Sequence, residues 1–353
     1  MSGLDMTNRG WTQGGAGEYP LSEPETRSLV IFLLQHPNTA VVNSMDTSVP
    51  MHLRGPSTSK SEERMYPEDL ELLRYFDQRG MEISGYPWAG DTYYDYRNRG
   101  GGGRGGGGGT GSPLFGHGPD FGYWYYGAVW YGDELWNGGR VGDYNNNGQE
   151  NEQIDKLIYN DTVLEKSRFQ EWTPAKHPVY GDVEVGGWNP KFWNQNAPPE
   201  LLEEWAEKEA RFNLMLASNM PDVVIGEPDI RSEGDGVYRV EVEVENKGRI
   251  PTALRQAQLV KIVRPDVVRL EFPEGYLPQG GRGRGRGRGG FGGGRGDRGG
   301  RGRGQQEPSK VQMIEPGQPS VTIDRLEGNS QKTVTFRLRL NDITETTATI
   351  RFV

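Results

Sequence analysis

The sequence predicts an α/β domain followed by an antiparallel β-sandwich, with the change near residue 221. In residues 1–221, apolar side chains recur at helical spacing around short apolar segments. From residue 222 they alternate with polar ones, as in strands that are buried on one face. Strict alternation occurs in VYRVEVEVENKG (237–248), KTVTFRLRLND (332–342) and TATIRFV (347–353). With 353 residues, the chain is long enough for two such domains.

The first domain shows a helix signal and then a strand signal. Ser22 stands where an N-cap would be, Glu25 three residues later completes a capping box, and Pro24 lies in the first turn. The apolar pattern that follows predicts a helix that ends near His36. Residues 39–43 (TAVVN) then predict a short buried strand.

Two further helices are predicted in this domain. Leucines and Phe76 lie on one side of a helix over residues 67–79, and Gly80 is placed to end it. The segment PELLEEWAEKEARFNLMLASNM (199–220) has the spacing of a helix with one buried side. Pro221 should end that helix and the domain.

Two glycine-rich tracts interrupt these domains. Residues 97–111 (RNRGGGGRGGGGGTG) predict a mobile loop, and residues 279–307 predict a disordered Arg/Gly insert in the sandwich. The insert is basic, with eight Arg and one Asp in residues 280–304, although the whole chain has a net charge of −9. RNA binding through charge and stacking is one interpretation of it. A spacer is the favoured one, because Phe291 is its single aromatic residue, and we expect no nucleic-acid partner.

Composition excludes several classes of protein. The chain has no Cys, which excludes disulfides, Cys-ligated zinc and a Cys nucleophile. Its longest apolar run, Leu29 to Leu34, is six residues, whereas a membrane span needs about 18. Residues 1–17 have neither the basic start nor the apolar centre of a signal peptide. We therefore predict no membrane span.

Three motifs follow one another near the N-terminus: TNRGW (7–11), SEPET (22–26) and VVNSMDT (41–47). Their order and spacing resemble the middle of a zinc metallocarboxypeptidase of the carboxypeptidase A type. The family's Asn-Arg pair binds the substrate's terminal carboxylate, and Asn8 and Arg9 match it; an Arg fork can hold a carboxylate with two hydrogen bonds. The resemblance covers residues 1–221. It implies the C-terminal part of a mixed-sheet carboxypeptidase domain, truncated at its N-terminus.

The segment GPDFGYWYYGAVWYGDELW (118–136) extends this resemblance. In the family, an Asp, an aromatic-rich helix and a Gly precede a strand that ends in Glu-Leu, whose Glu is the general base. The resemblance implies that Glu134 activates a zinc-bound water and later protonates the leaving amine. Nearby aromatic residues would raise its pKa if it is buried. The alternative is a solvated carboxylate in a turn.

Other assignments stay open. The segment VYGDVEVGGWNPKFWNQNAPPELLEE (179–204) also resembles a strand that ends in Glu, which makes Glu184 the alternative base. The family's catalytic tyrosine usually lies upstream of its Glu. Tyr93, Tyr94 and Tyr96 are the candidates for it here.

The zinc site departs from the family pattern. The first two ligands of the family come from a His-x-x-Glu motif, which none of the four His begins. Asp46 stands at the third ligand position, and a carboxylate can bind zinc, although one ligand does not hold the ion. His52, His117 and His177 can in principle form a different site, but structural roles are the favoured interpretation.

A calcium loop is a further hypothesis. In DYNNNGQENEQID (143–155), Asp143, Asn145, Asn147 and Gly148 occupy positions 1, 3, 5 and 6 of such a loop. Position 12, which should be Glu, is Ile154. An Asn-rich turn is therefore the favoured interpretation.

The resemblance implies an enzyme that hydrolyses C-terminal peptide bonds, with zinc as cofactor and a peptide or protein as substrate. The missing ligands predict that this chain is inactive as it stands. The alternatives are a non-catalytic module that binds peptides or carboxylates, and an RNA-interacting protein. The implied full-length parent would be extracellular or periplasmic.

Overall fold

The computed structural model describes residues 17–47, 49–96, 113–166, 168–277 and 309–353. Two compact units are present, one from Met1–Met220 with Arg249–Arg264 and the other from Pro221–Gly248 with Pro265–Val353. The segment Arg249–Arg264 thus returns to the first unit, whereas the sequence placed everything after residue 221 in the second domain. Asn8, Arg9 and the two glycine-rich tracts, 97–111 and 279–307, lie outside the described residues.

The first unit mixes helices and strands, which confirms the α/β expectation at that level. Its helices are α1 Pro24–Gln35, α2 Ser61–Arg64, α3 Pro67–Ser84, α4 Gly118–Phe121, α5 Gln153–Thr162, α6 Leu202–Ser218 and α7 Arg255–Val260. Its strands are β1 Val41–Asp46, β2 Met51–Arg54, β3 Trp88–Asp91, β4 Val129–Glu134, β5 Phe169–His177 and β6 Gly181–Trp188. Three short π-helical segments, Thr92–Tyr96, Gly122–Tyr126 and Pro190–Gln195, and a 3-10 turn, Pro199–Leu201, complete it.

Four strands form a mixed sheet in the order β1-β4-β2-β3. Strand β4 runs parallel to β1 and antiparallel to β2, and β2 runs parallel to β3. All six residues of β4 are buried, so this strand is the centre of the unit. Because β1 and β4 are parallel and in register, their carboxyl ends meet, with Asp46 opposite Glu134.

Two predicted helix ends differ from the structure. Helix α1 begins after Glu23, and no side-chain oxygen accepts its first backbone N–H groups; the Ser22 hydroxyl donates to the Glu23 carboxylate. Helix α3 continues through Gly80 and ends at Ser84, where Gly85 adopts a left-handed conformation. The predicted capping box and the predicted stop at Gly80 are therefore wrong.

Gly80 lies inside α3 because a side chain there has no space. A Cβ atom at this position would lie 2.7 Å from His52 Cδ2 and 2.8 Å from Phe212 Cε2. We expect Gly80→Ala to destabilise the first unit by about 1 kcal/mol, since overpacking costs roughly 1–3 kcal/mol and the gain in helix propensity offsets about 1 kcal/mol of it. Chemical denaturation followed by tryptophan fluorescence measures this.

Gly142→Ala is the matched control, because no heavy atom lies within 4 Å of a Cβ built there. Its free energy of unfolding should stay within about 0.5 kcal/mol of the wild type. A Gly80→Ala protein as stable as the Gly142→Ala protein would contradict the packing of His52 and Phe212 against this helix.

The second unit is built from two antiparallel sheets. Its strands are β7 Val223–Ile225, β8 Asp229–Gly234, β9 Val237–Asn246, β10 Asp266–Glu271, β11 Val311–Glu315, β12 Ser320–Asp324, β13 Ser330–Leu340 and β14 Thr349–Phe352. One sheet has the order β12-β10-β14; the other has the order β11-β13-β9-β7, with β8 also on β9. Val242, Val268 and Phe336 belong to one apolar core that both sheets share. The antiparallel sandwich predicted from the alternation is confirmed.

Among the described residues, no helix is long and apolar enough to cross a membrane.

Candidate active site

Glu134 ends the central strand β4 as a buried carboxylate. Its side chain is 5% exposed, and the backbone N–H of Val49 donates to Oε2 at 3.1 Å. Asp46, at the end of the parallel strand β1, is exposed and lies directly opposite in the sheet register. Two carboxylates therefore meet at this edge of the sheet, one buried and one open to water.

The surroundings of Glu134 shift its proton equilibrium. The pKa of Glu134 is raised to about 7: burial is the largest cause, the Val49 hydrogen bond opposes it, and the carboxylates of Asp46 and Asp133 add to the rise. A carboxyl with this pKa exchanges its proton near neutral pH, which suits a general acid or base.

The neighbouring residue, Asp133, faces the other side of the sheet, because successive side chains of a strand alternate. There it meets His52 of β2, whose Nδ1 contacts Asp133 Oδ1, and both residues are fully buried. Asn43 Nδ2 donates to Asp133 Oδ2 at 3.2 Å. Burial opposes ionisation, but the hydrogen bond and charge of His52 outweigh it and hold the pKa of Asp133 below its usual value.

Helix α6 adds a third acidic group, Glu209. Burial raises the pKa of Glu209 to about 9, and the adjacent Asp133 carboxylate adds to that shift. Glu209 is therefore protonated at neutral pH. Its Oε2 has no other partner and can donate this proton to Asp133.

Tyr86 connects the network to the strand end. Its hydroxyl lies 3.0 Å from Glu209 Oε1 and also contacts the backbone carbonyl oxygen of Glu134. We call His52, Asp133, Glu209 and Tyr86 the buried proton network. The contact between the Tyr86 hydroxyl and the carbonyl oxygen of Glu134 therefore connects this network to the backbone of Glu134.

His52, Asp133 and Glu209 present potential metal-ligand atoms within 4.8 Å of one another. The ring nitrogens of His52 are already engaged, Nδ1 with Asp133 and Nε2 with Ser84 Oγ at 3.0 Å. A metal would have to break these bonds, so the arrangement fits a hydrogen-bonded network better than a metal centre. Among the described residues, Glu134 and Asp46 do not belong to a group of three potential ligands, whereas a catalytic zinc needs about three.

The other residues predicted for catalysis lie in different settings. Glu184, the alternative base, is exposed on β6 opposite Pro174. Tyr93, Tyr94 and Tyr96 lie in the π-helical segment after β3, where the ammonium of Lys60 lies 4.9 Å from the ring centre of Tyr94. Burial at a strand end favours Glu134 over Glu184.

The remaining two of the three histidines considered for zinc have partners of their own. His117 Nδ1 lies 2.8 Å from Ser57 Oγ, and burial lowers the pKa of His117 to about 4. Asp120 accepts the Ser57 N–H at 2.9 Å, and burial raises the pKa of Asp120 to about 6. His177 is exposed on the β5–β6 hairpin and stacks on Tyr180. These contacts support structural roles.

The proposed calcium loop is closed by its own backbone. Asp143 accepts the N–H groups of Asn147 at 3.1 Å and Gly148 at 2.7 Å. Asp155 Oδ1 accepts those of Tyr144 and Asn145, both at 2.9 Å. The carboxylate oxygens that calcium would need are thus bonded within the loop, which favours the Asn-rich turn.

Sequence reasoning missed Asp133, Glu209 and Tyr86. A signal existed for Asp133, because adjacent acidic residues on a buried strand must face opposite sides of the sheet, so each needs a polar partner. A second signal existed for Glu209, which occupies the buried stripe of α6 together with Trp205, Phe212 and Leu216. An acid in an apolar stripe predicts a buried carboxyl.

Comparison with known proteins concerns the second unit. Residues 222–353 match a family model described as a domain of unknown function (DUF8731). No curated protein and no solved structure matches the chain. The matched residues comprise nearly all of the second unit and the segment Arg249–Arg264 of the first.

Proposed function

We propose that the first unit is a domain of the metallocarboxypeptidase type that binds the carboxyl end of a peptide, with Glu134 as its acid–base group. The observation that carries this proposal is the position of Glu134, buried where the carboxyl ends of β1 and β4 meet, with a pKa near 7. Its resemblance to the family at DELW (133–136) assigns the same residue independently of the geometry.

A cavity lined by His117, which neighbours Gly132 of β4, supports the binding role. Gly132 and Glu134 lie two residues apart and so share a face of the strand, and a Cβ on Gly132 would lie 3.5 Å from His117 Nε2. His117 lines a cavity of about 290 Å³, together with Phe115, Phe121 and Trp124. Aromatic walls suit an apolar or aromatic side chain, which would belong to the last residue of the bound peptide.

The zinc that the family uses does not fit the described residues, because neither Glu134 nor Asp46 belongs to a group of three potential ligands there. No chemical step through zinc is therefore assigned. Without a metal, the role of Glu134 is to carry a proton. The Val49 N–H fixes the position of its Oε2, and the protonated carboxyl is uncharged, so it does not repel the carboxylate of a bound peptide. We expect binding of free carboxyl ends without hydrolysis.

Glu134→Gln should remove the pH dependence of this binding. In the wild type, the affinity for a peptide with a free carboxyl end should fall on the order of tenfold between pH 6 and pH 8, since Glu134 ionises near pH 7 and its negative charge would repel the ligand's carboxylate. In the Gln variant the affinity should stay nearly constant. Isothermal titration calorimetry of the full chain with a short peptide ending in Phe measures both.

The same peptide with an amidated end is the control ligand, and it should bind more weakly to both proteins. Equal affinity for the free and the amidated peptide would refute carboxylate recognition. Release of the terminal Phe by the wild type and its loss in the Gln variant, followed by mass spectrometry, would show that the chain acquires its metal and acts as the enzyme.

A further inference from the structure

The β5–β6 hairpin stands apart from the rest of the first unit. Among the described strands, β5 and β6 pair only with each other. The base of the hairpin is anchored by Trp188, which stacks on Trp193 with ring centres 4.9 Å apart. Asn160 Oδ1 also accepts the N–H groups of Arg168 and Phe169 at 2.9 and 3.2 Å. The base is fixed, whereas the strands beyond it are exposed.

The exposed part of the hairpin is unusually apolar. Val179 and Tyr180 at its tip are both 78% exposed, Trp172 is 59% exposed and Val185 is 50% exposed. A two-stranded hairpin is marginally stable in water by itself, and clustered exposed apolar residues mark interaction sites. These features are typical of a surface that binds another polypeptide.

The two edges of the hairpin differ. Strand β5 contains Pro174, which lacks an N–H group and protects an edge from pairing. Strand β6 contains no Pro, so its outer edge is open to another strand. An open edge of this kind binds extended polypeptides by strand addition.

The side chains of β6 indicate which residues a strand paired with its outer edge would carry. Asp182 and Glu184 alternate with Val183 and Val185. Asp182 has one distant ion-pair partner, Lys176 at 3.8 Å, and both of these side chains are almost fully exposed. Opposite charges and apolar pairs stabilise directly opposed residues of adjacent strands. A complementary strand would place basic residues opposite Asp182 and Glu184, and apolar ones opposite Val183 and Val185.

We propose that the outer edge of β6 binds an extended polypeptide segment in which basic and apolar residues alternate. A second copy of the chain fits less well, because β6 against β6 would bring acidic strands together. The proposal does not depend on the role of Glu134.

The test uses the full chain and a fluorescent peptide of alternating Lys and Val, acetylated and amidated at its ends. Fluorescence anisotropy at low salt should show saturable binding. Glu184→Lys should weaken it about tenfold. Glu171→Lys is the matched control, because it makes the same charge change at an exposed position of β5 and should leave the affinity within about twofold.

A second peptide separates strand addition from simple charge attraction. The same sequence with N-methylated Val keeps its charge and loses backbone donors, so its binding should weaken at least tenfold. The proposal is overturned by no binding of the first peptide, by equal loss in Glu184→Lys and Glu171→Lys, or by full binding of the N-methylated peptide. Self-association that Glu184→Lys alters, measured by sedimentation, would assign the edge to a second copy instead.

Discussion

Replacing His52 by Ala is expected to lower the free energy of unfolding of the first unit by about 3–5 kcal/mol, the range for leaving a buried charge without its partner. The change leaves the carboxylate of Asp133 without its main partner in a fully buried position. It also removes a ring that stacks on Phe212 with centres 4.0 Å apart, so a cavity adds to the loss.

Tryptophan fluorescence measures the unfolding of the first unit alone. All nine tryptophans lie in the first 205 residues, so none belongs to the second unit. Guanidinium denaturation followed at the tryptophan emission therefore reports on the first unit even if the two units unfold separately. His177→Ala, an exposed His on the hairpin, is the control and should change stability by less than about 1 kcal/mol.

Two outcomes would contradict the network interpretation. Similar stabilities of the His52→Ala and His177→Ala proteins would show that the contact between His52 and Asp133 contributes little. A large loss of wild-type stability on adding EDTA, absent in His52→Ala, would instead identify His52, Asp133 and Glu209 as metal ligands. We expect no effect of EDTA, because both ring nitrogens of His52 already have hydrogen-bond partners.

The sequence predicted those structural features that depend on residues close to one another in the chain. The alternation in β9 and β13 predicted the sandwich because each strand has one buried face. Glu134 was reached through the resemblance of DELW (133–136) to the carboxypeptidase family, which also rests on a short local motif. The return of Arg249–Arg264 to the first unit was not predictable in this way, since its apolar residues pack on helices and strands far away in the sequence.

The contacts of the buried proton network were not predictable from local sequence either, because its residues are far apart in the chain. His52, Asp133 and Glu209 come from β2, β4 and α6, and His52 and Asp133 are 81 residues apart. The sequence signals that a buried acid needs a partner, but not which side chain it is. That choice follows from the antiparallel pairing of β2 with β4, which places His52 opposite Asp133.

The variant Glu209→Gln tests whether Glu209 is protonated in the folded protein, and the measurement is the pH dependence of the free energy of unfolding. The pKa of Glu209 is about 9 in the folded protein, raised by burial and by Asp133 from a reference of 4.5, while the charge of Lys208 opposes the shift. Below about pH 4.5 the carboxyl is protonated in both states, and its stabilising contribution is complete. As the pH rises towards 9, the unfolded chain releases a proton that the folded one retains, and stability is lost.

Glutamine mimics the protonated acid, because its amide can donate to Asp133 and accept from Tyr86. Between pH 6 and pH 8 the wild type should therefore lose about 2–3 kcal/mol relative to the variant, at roughly 1.4 kcal/mol per pH unit and proton. Subtracting the two unfolding curves cancels groups common to both proteins, including Glu134. Glu207→Gln, an exposed site on the same helix, should show no such pH-dependent difference. An equal pH slope in wild type and Glu209→Gln would mean that Glu209 is ionised in the folded protein, leaving two adjacent carboxylates for His52 to neutralise.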